Sequence, residues 1–322
     1  MRRSLALAAI AASALRAAPA RGEPLDVSLY RLGTPNATVI CTVRAGSPCA
    51  SAAVTPGDYQ AAADARQRFA LLTMQLGLAL DSFILAPANT IGHSGFEFTF
   101  EGAYFPATWD QTLFAGYSPF KSNPPTSFLL PAFHVRKALP YSIEVGARAI
   151  YLNQSTEFAT QVEAKWAVNE GIDYAPDVAV RAVATRLFGV RDLNLGVYGV
   201  DAMIGKRFGI GGVMSLTPYG AARFSGVWAE SGWIQYGNPS NPVAASGTAA
   251  EFPELGASAH RFTRFVLGLR LIASTVTLSL EGTYTLGRTF GGDAPAQLGA
   301  SGYPTFEIPA TFSAAANFGF TF

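Results

Sequence analysis

The sequence predicts an all-β fold: a closed antiparallel barrel of about ten strands, with twelve as the alternative, preceded by a short N-terminal segment of helix and loop. Three observations carry this expectation. From residue 95 to the end, stretches of alternating apolar and polar residues are separated by turn residues, and a period of two sends neighbours to opposite faces of a strand. After residue 20, no apolar run approaches the roughly 20 residues with which a helix crosses a bilayer, so the chain either folds in water or crosses as a closed barrel. The connectors are long and short in turn, as in barrels with tight turns at one end and loops at the other.

Residues 1–20 have the pattern of a cleaved secretory signal: a basic Met1-Arg2-Arg3, an apolar stretch over 5–15 and the small residues Ala18-Pro19-Ala20. A membrane anchor is disfavoured because the stretch is short and Arg16 interrupts it. Residues 21–92 do not alternate. They contain Cys41 and Cys49, which can form a short-loop disulfide in an oxidising compartment. No histidine lies near the pair, so no metal site is expected. Over 58–80, Phe69, Leu72, Leu76 and Leu80 share a helical face, while Leu72, Met74, Leu76, Leu78 and Leu80 share a strand face. The alanine-rich start favours helix. A barrel of this size has a lumen largely filled by side chains, which places that helix at the short-turn end. A plug inside a wider barrel is the alternative.

The barrel, 93–322, reads as ten segments. In 96–105, Phe96, Phe98 and Phe100 oppose Glu97, Thr99 and Glu101; in 128–138, Phe133 and Val135 oppose His134 and Arg136. Segment 141–152 sets Ile143 and Val145 against Glu144 and Arg148, and 156–168 sets Val162, Ala164 and Trp166 against Glu163 and Lys165. Segment 178–188 carries Arg181 but loses phase near Arg186, and 193–208 slips around 199–201, which suggests a bulge. Segment 213–228 holds Arg223 and an awkward Pro218. In 262–272, Leu267 and Leu269 oppose Arg264 and Arg270; in 276–286, Leu278 and Leu280 oppose Glu281. The last segment, 306–322, ends on Phe318, Phe320 and Phe322. The connectors near 106–127, 229–261 and 287–305 are long, and those near 137–140, 169–177, 209–212 and 273–275 are short.

An apolar strand face closing on a terminal phenylalanine resembles the assembly signal of Gram-negative outer-membrane β-barrels, and 96–322 as a whole is similar to that general class without matching a named family motif. The resemblance implies a transmembrane barrel in the outer membrane, with 21–92 in the periplasm and the long loops outside. It also implies contact with outer-membrane lipid and lipopolysaccharide, and delivery by the barrel-assembly machinery through the C-terminal strand. In such a barrel the apolar face meets lipid and the charges face inward, the reverse of a lipocalin-like barrel.

On that reading Glu97, Glu101, His134, Arg136, Glu144, Arg148, Glu163, Lys165, Arg181, Arg223, Arg264, Arg270 and Glu281 form a lumen network, since buried charge is tolerable only when paired. The expected function is a non-enzymatic structural or surface-interaction barrel, with a narrow channel for small polar or anionic solutes as the alternative. An outer-membrane hydrolase is a further alternative, for which His260 near Glu251 and Glu254 is the one plausible catalytic histidine. No catalytic residue and no cofactor is expected. The formal charge of +1 implies no nucleic-acid partner. Aromatics in the long connectors, Trp109, Phe114, Tyr117 and Phe120 in one and Trp233 and Tyr236 in another, suit either loop packing or a surface ligand.

Overall fold

The computed structural model describes residues 23–35, 56–81, 83–235, 249–291 and 304–322. The signal-like start and the expected Cys41–Cys49 disulfide lie outside the described residues. Ten long strands form the barrel: β1 (Phe96–Pro106), β2 (Ser127–Leu139), β3 (Ile143–Tyr151), β4 (Phe158–Asn169), β5 (Asp177–Phe188), β6 (Leu193–Gly205), β7 (Met214–Ser231), β8 (Arg261–Ala273), β9 (Val276–Thr285) and β10 (Thr311–Thr321). They pair antiparallel in chain order, and β10 returns to β1, so the sheet closes at ten strands and the alternative of twelve falls away. At the seam the backbones of Phe96 and Phe322 exchange two hydrogen bonds of 2.8 Å. The Phe98 ring lies 5.5 Å from Phe320 and 6.0 Å from Phe322, so the terminal aromatics are built into the closure.

The faces decide the environment. Leu267 is 76% exposed, Leu280 65% and Phe318 45%, while Arg181, Arg223 and Arg264 are fully buried. Apolar side chains outside and charge inside is the arrangement that lipid stabilises and water does not. No described helix is long and apolar enough to cross a membrane.

Two irregularities expected from the sequence are absent. In β5 the phase persists, with Arg186 outward and Leu187 inward, and its pairing with β6 runs unbroken past Gly199 and Asp201, both of which face inward. Gly199 answers to space rather than to a bulge, because a Cβ there would sit 2.5 Å from Ser225 Oγ. The register shift that does occur lies between β4 and β5, at Ala167/Asn169. The segment expected over 306–322 is split at Pro309: Phe306–Ile308 pairs with Arg288–Phe290 above the barrel, and β10 begins at Thr311.

The largest correction concerns the helix. Helix α1 (Pro56–Leu80) enters the barrel at the long-loop end, not the short-turn end. Gln75 Nε2 donates to Thr108 O at 2.9 Å, Arg68 Nε donates to Leu113 O at 2.5 Å, and Phe69 stacks on Phe252 at 4.6 Å. All three partners belong to the long connectors. The helix therefore shares an end with the long loops, and the expectation that put the two on opposite sides is corrected for the described residues.

Room for it comes from the wall. Towards the long loops the inward residues are apolar and often small, including Ala103, Leu130, Ala159, Leu195, Val227 and Ala229, and they form one core with Phe69, Leu72 and Leu76. The second half of the helix, from Phe69, is predominantly apolar around its circumference and belongs in such a core, and this is why both spacings fit its sequence.

Gly77 is the closest approach, since a Cβ there would lie 2.6 Å from Val227 Cγ2. Helix propensity alone favours Gly77→Ala by about 1 kcal/mol. We expect the opposite sign, a net loss of stability in urea titrations of the refolded protein, because Val227 is stiff at χ1 and overpacking costs about 1–3 kcal/mol. A more stable alanine variant would refute the seating of α1 against β7.

Candidate functional site in the barrel lumen

Below the helix the interior changes character. All thirteen residues read from the sequence as a lumen network are buried and point inward. All but Glu281 take part in ion pairs around the wall. Glu97 bridges Arg136 and Arg270, and Glu144 accepts from Arg136 at 3.2 Å and pairs with Lys165 at 3.0 Å. A second chain runs from Arg148 to Glu101 (2.6 Å), through His134 (3.0 Å) to Glu163 (3.3 Å), and on through Arg181 (2.7 Å) to Asp201 (2.6 Å) and Arg223 (2.6 Å).

Asp81 and residues 83–91 thread this band. They leave the end of α1 and pass down the lumen to a turn at 92–95 that opens β1, where Gly95 N bonds Gly92 O at 3.1 Å. The wall holds the segment through its backbone at successive levels. Arg264 donates to the carbonyls of Leu78 and Asp81, and Arg223 Nη1 reaches Asp81 Oδ1 at 3.0 Å. Ser225 Oγ donates to Asp81 Oδ2 at 2.7 Å. Glu281 accepts from the amides of Ile84 (2.7 Å) and Leu85 (2.6 Å), with Tyr219 on the same carboxylate at 2.9 Å. Arg148 donates to Ile84 O, Asn317 to Leu85 O, and Lys165 to the carbonyls of Pro87 and Asn89. At the short-turn end, Thr90 N donates to Glu170 and Ile91 N to Glu144. Side chains thus supply the partners that an irregular backbone needs in a dry interior.

Two acids absent from the sequence reading complete the balance. In this band the described wall carries the cations Arg136, Arg148, Lys165, Arg181, Arg223, Arg264 and Arg270, against Glu97, Glu101, Glu144, Glu163, Asp201 and Glu281. Asp81 supplies the seventh acid from the threaded segment. Without it one buried cation has no counter-charge.

At the long-loop end a smaller contact ties down residues 23–35. Glu157 Oε1 accepts from Val27 N at 2.6 Å, and Asp26 accepts from the amide and hydroxyl of Thr156 at 2.8 and 2.9 Å. Burial pushes the Glu157 carboxyl up to about 7, against the Val27 hydrogen bond and with help from the Asp26 charge. A carboxyl that titrates higher when docked than its ordinary value of 4.5 holds an extra proton in the docked state. Docking is then strongest below pH ~4.5, weakens as pH rises through about 7, and is level above that. Proteolysis of the 23–35 segment should accelerate between pH 5 and pH 8 in the wild type and lose that dependence in Glu157→Gln.

His260, the candidate base, is buried at the same end. Its Nδ1 lies 3.1 Å from Gly256 O and its ring stacks on Phe290 at 5.9 Å, while burial lowers its pKa. Glu254 is engaged by Trp228 Nε1 at 2.7 Å. Of the loop aromatics, Trp109 packs edge-on against Phe114 and Phe120, and against Phe128, in a buried cluster, whereas Tyr117 and Trp233 are exposed. Tyr236 lies outside the described residues.

An apolar outer face, a charged interior and a closed ring of ten antiparallel strands define the class: this is a transmembrane β-barrel with the fold of outer-membrane proteins. No family model matches the chain, and no curated relative does. Among solved structures it is similar to Neisserial surface protein A at 10% identity, over 70% of this chain and 95% of that one, with a TM-score of 0.27. It is similar to the outer membrane protein OprG from Pseudomonas aeruginosa at 9% identity, over 74% and 99%, with a TM-score of 0.31. For the outer membrane protease OmpT from Escherichia coli the values are 6% identity, 72% and 96%, and 0.28. Overlap this loose transfers none of those proteins' chemistry to this chain.

Proposed function

We propose that this protein is a closed, non-catalytic surface barrel that carries its own N-terminal segment through its lumen and presents it, with the long loops, on the outer side of the membrane. The observation that carries the reading is the threaded segment, Asp81 and residues 83–91, bonded to the wall at each level and capped by α1. On this reading a lumen so filled is closed to solutes. The long loops, on the outside by the rule for such barrels, share their end with α1 and residues 23–35.

Conductance across planar bilayers tests this directly. Wild-type protein is expected to be silent, and reproducible single-channel steps from it would overturn the closed reading. A second reading, a gated path for small anions, draws on the cation excess that appears once Asp81 leaves. It requires anion-selective steps from Asp81→Asn, and silence from that folded variant removes it.

A further inference from the structure

At the long-loop end, residues 29–35 and the connector between β1 and β2 enclose an open groove of ≈ 890 Å³. That volume is within the range of small-ligand sites, roughly 300–1,000 Å³. Among the described residues, the charged ones that line it are Arg31 and Lys121, both basic. Among the described residues the buried Arg31 Nη1 has no hydrogen-bond partner, although a buried guanidinium nitrogen ordinarily has one. Lys121 is 41% exposed at its side chain and shares a 3.4 Å contact with Asp26. The side-chain amides of Gln111 and Asn123 also line the groove and are exposed, without a hydrogen bond among the described residues.

Two tyrosines supply flat surface. Tyr30 is 49% exposed and Tyr117 42%. The Arg68 guanidinium lies 3.8 Å from the Tyr117 ring centre and is itself fixed by the carbonyls of Leu113 and Leu32. The platform is therefore held from behind while part of the ring stays open. In a monomer such a ring has no structural reason to be kept both fixed and bare, since Trp109, Phe114 and Phe120 on the same connector are packed away.

We propose that this groove binds an acidic saccharide, a chain of sugars bearing carboxylates. A sugar ring would lie on Tyr117, a carboxylate would pair with Arg31 and be drawn by Lys121, and hydroxyls would bond Gln111 and Asn123. Guanidinium suits the carboxylate because it offers a planar pair of donors. The assignment rests on the outer placement of the long-loop end.

The test is calorimetric titration of the refolded barrel in detergent micelles with an oligogalacturonate, and with a neutral maltooligosaccharide of equal length. The acidic chain should bind at least tenfold more tightly than the neutral one, and more weakly as salt rises. Arg31→Ala should lose tenfold or more, Tyr117→Ala a similar amount, and Arg186→Ala on the lipid face nothing. Heat-modified gel mobility checks that each variant is folded, and Gln111→Ala serves should Tyr117→Ala fail that check. Equal affinity for the two chains, no binding of either, or an unaffected Arg31→Ala overturns the assignment. An epitope placed ahead of Glu23 and probed on intact cells separates the premises. An accessible epitope with no saccharide binding sinks only the ligand, and a hidden epitope sinks the display reading.

Discussion

Asp81→Ala should destabilise the refolded barrel by about 3–5 kcal/mol, the usual consequence of stripping one partner from a buried charged pair. Asp81 meets Arg223 and Ser225 through its carboxylate, and its carbonyl receives Arg264 and Arg223. Truncation leaves the carbonyl contacts but removes the counter-charge, so Arg264 keeps hydrogen bonds and loses its acid. Asp81→Asn, which retains the shape and one acceptor, should fall between wild type and alanine. Urea titration followed by tryptophan fluorescence and by gel mobility reads both. A loss under about 0.5 kcal/mol for the alanine variant, the level of an ordinary surface change, would show that the threaded segment does not neutralise the lumen.

Glu97→Ala should have an effect of similar size, about 3–5 kcal/mol, for a different reason. Glu97 stands on β1 at the closing seam, between Arg136 of β2 and Arg270 of β8, and accepts from Thr321 of β10 at 2.6 Å. One carboxylate therefore joins four strands across the point where the ring shuts. Its loss brings two guanidinium groups together with nothing between them, so folded yield as well as stability should drop. Lys137→Ala at the neighbouring turn removes an exposed charge and should change little. If the two variants behaved alike, the seam would be held by backbone pairing alone.

The sequence showed the barrel clearly wherever an outward apolar residue alternates with an inward charged one, as from Phe96 to Glu101 or from Val162 to Trp166. It was harder to read where both faces are apolar. Around Asp201 the inward neighbours are Gly199 and Met203 and the outward ones Val200 and Ala202, so contrast fades and the acid went unrecognised as part of the network. Asp81 was invisible for another reason. It follows a helix buried on every side and precedes a stretch with no regular period, and its role comes only from Arg223, about 140 residues away in the chain. The helix type was legible from its alanines. Its depth was not, because that depends on how small Ala159, Val227 and Ala229 are on strands far along the sequence.

The threaded segment also orders events in time. The chain enters by one mouth as α1 and, after residues 83–91, leaves by the other to become β1, the strand on which β10 finally closes. The ring must therefore be drawn shut around this segment, or the segment must be fed through the closed ring. A rigid cargo fused ahead of Glu23 would jam that passage if it folded too early, whereas a slack one would be carried along.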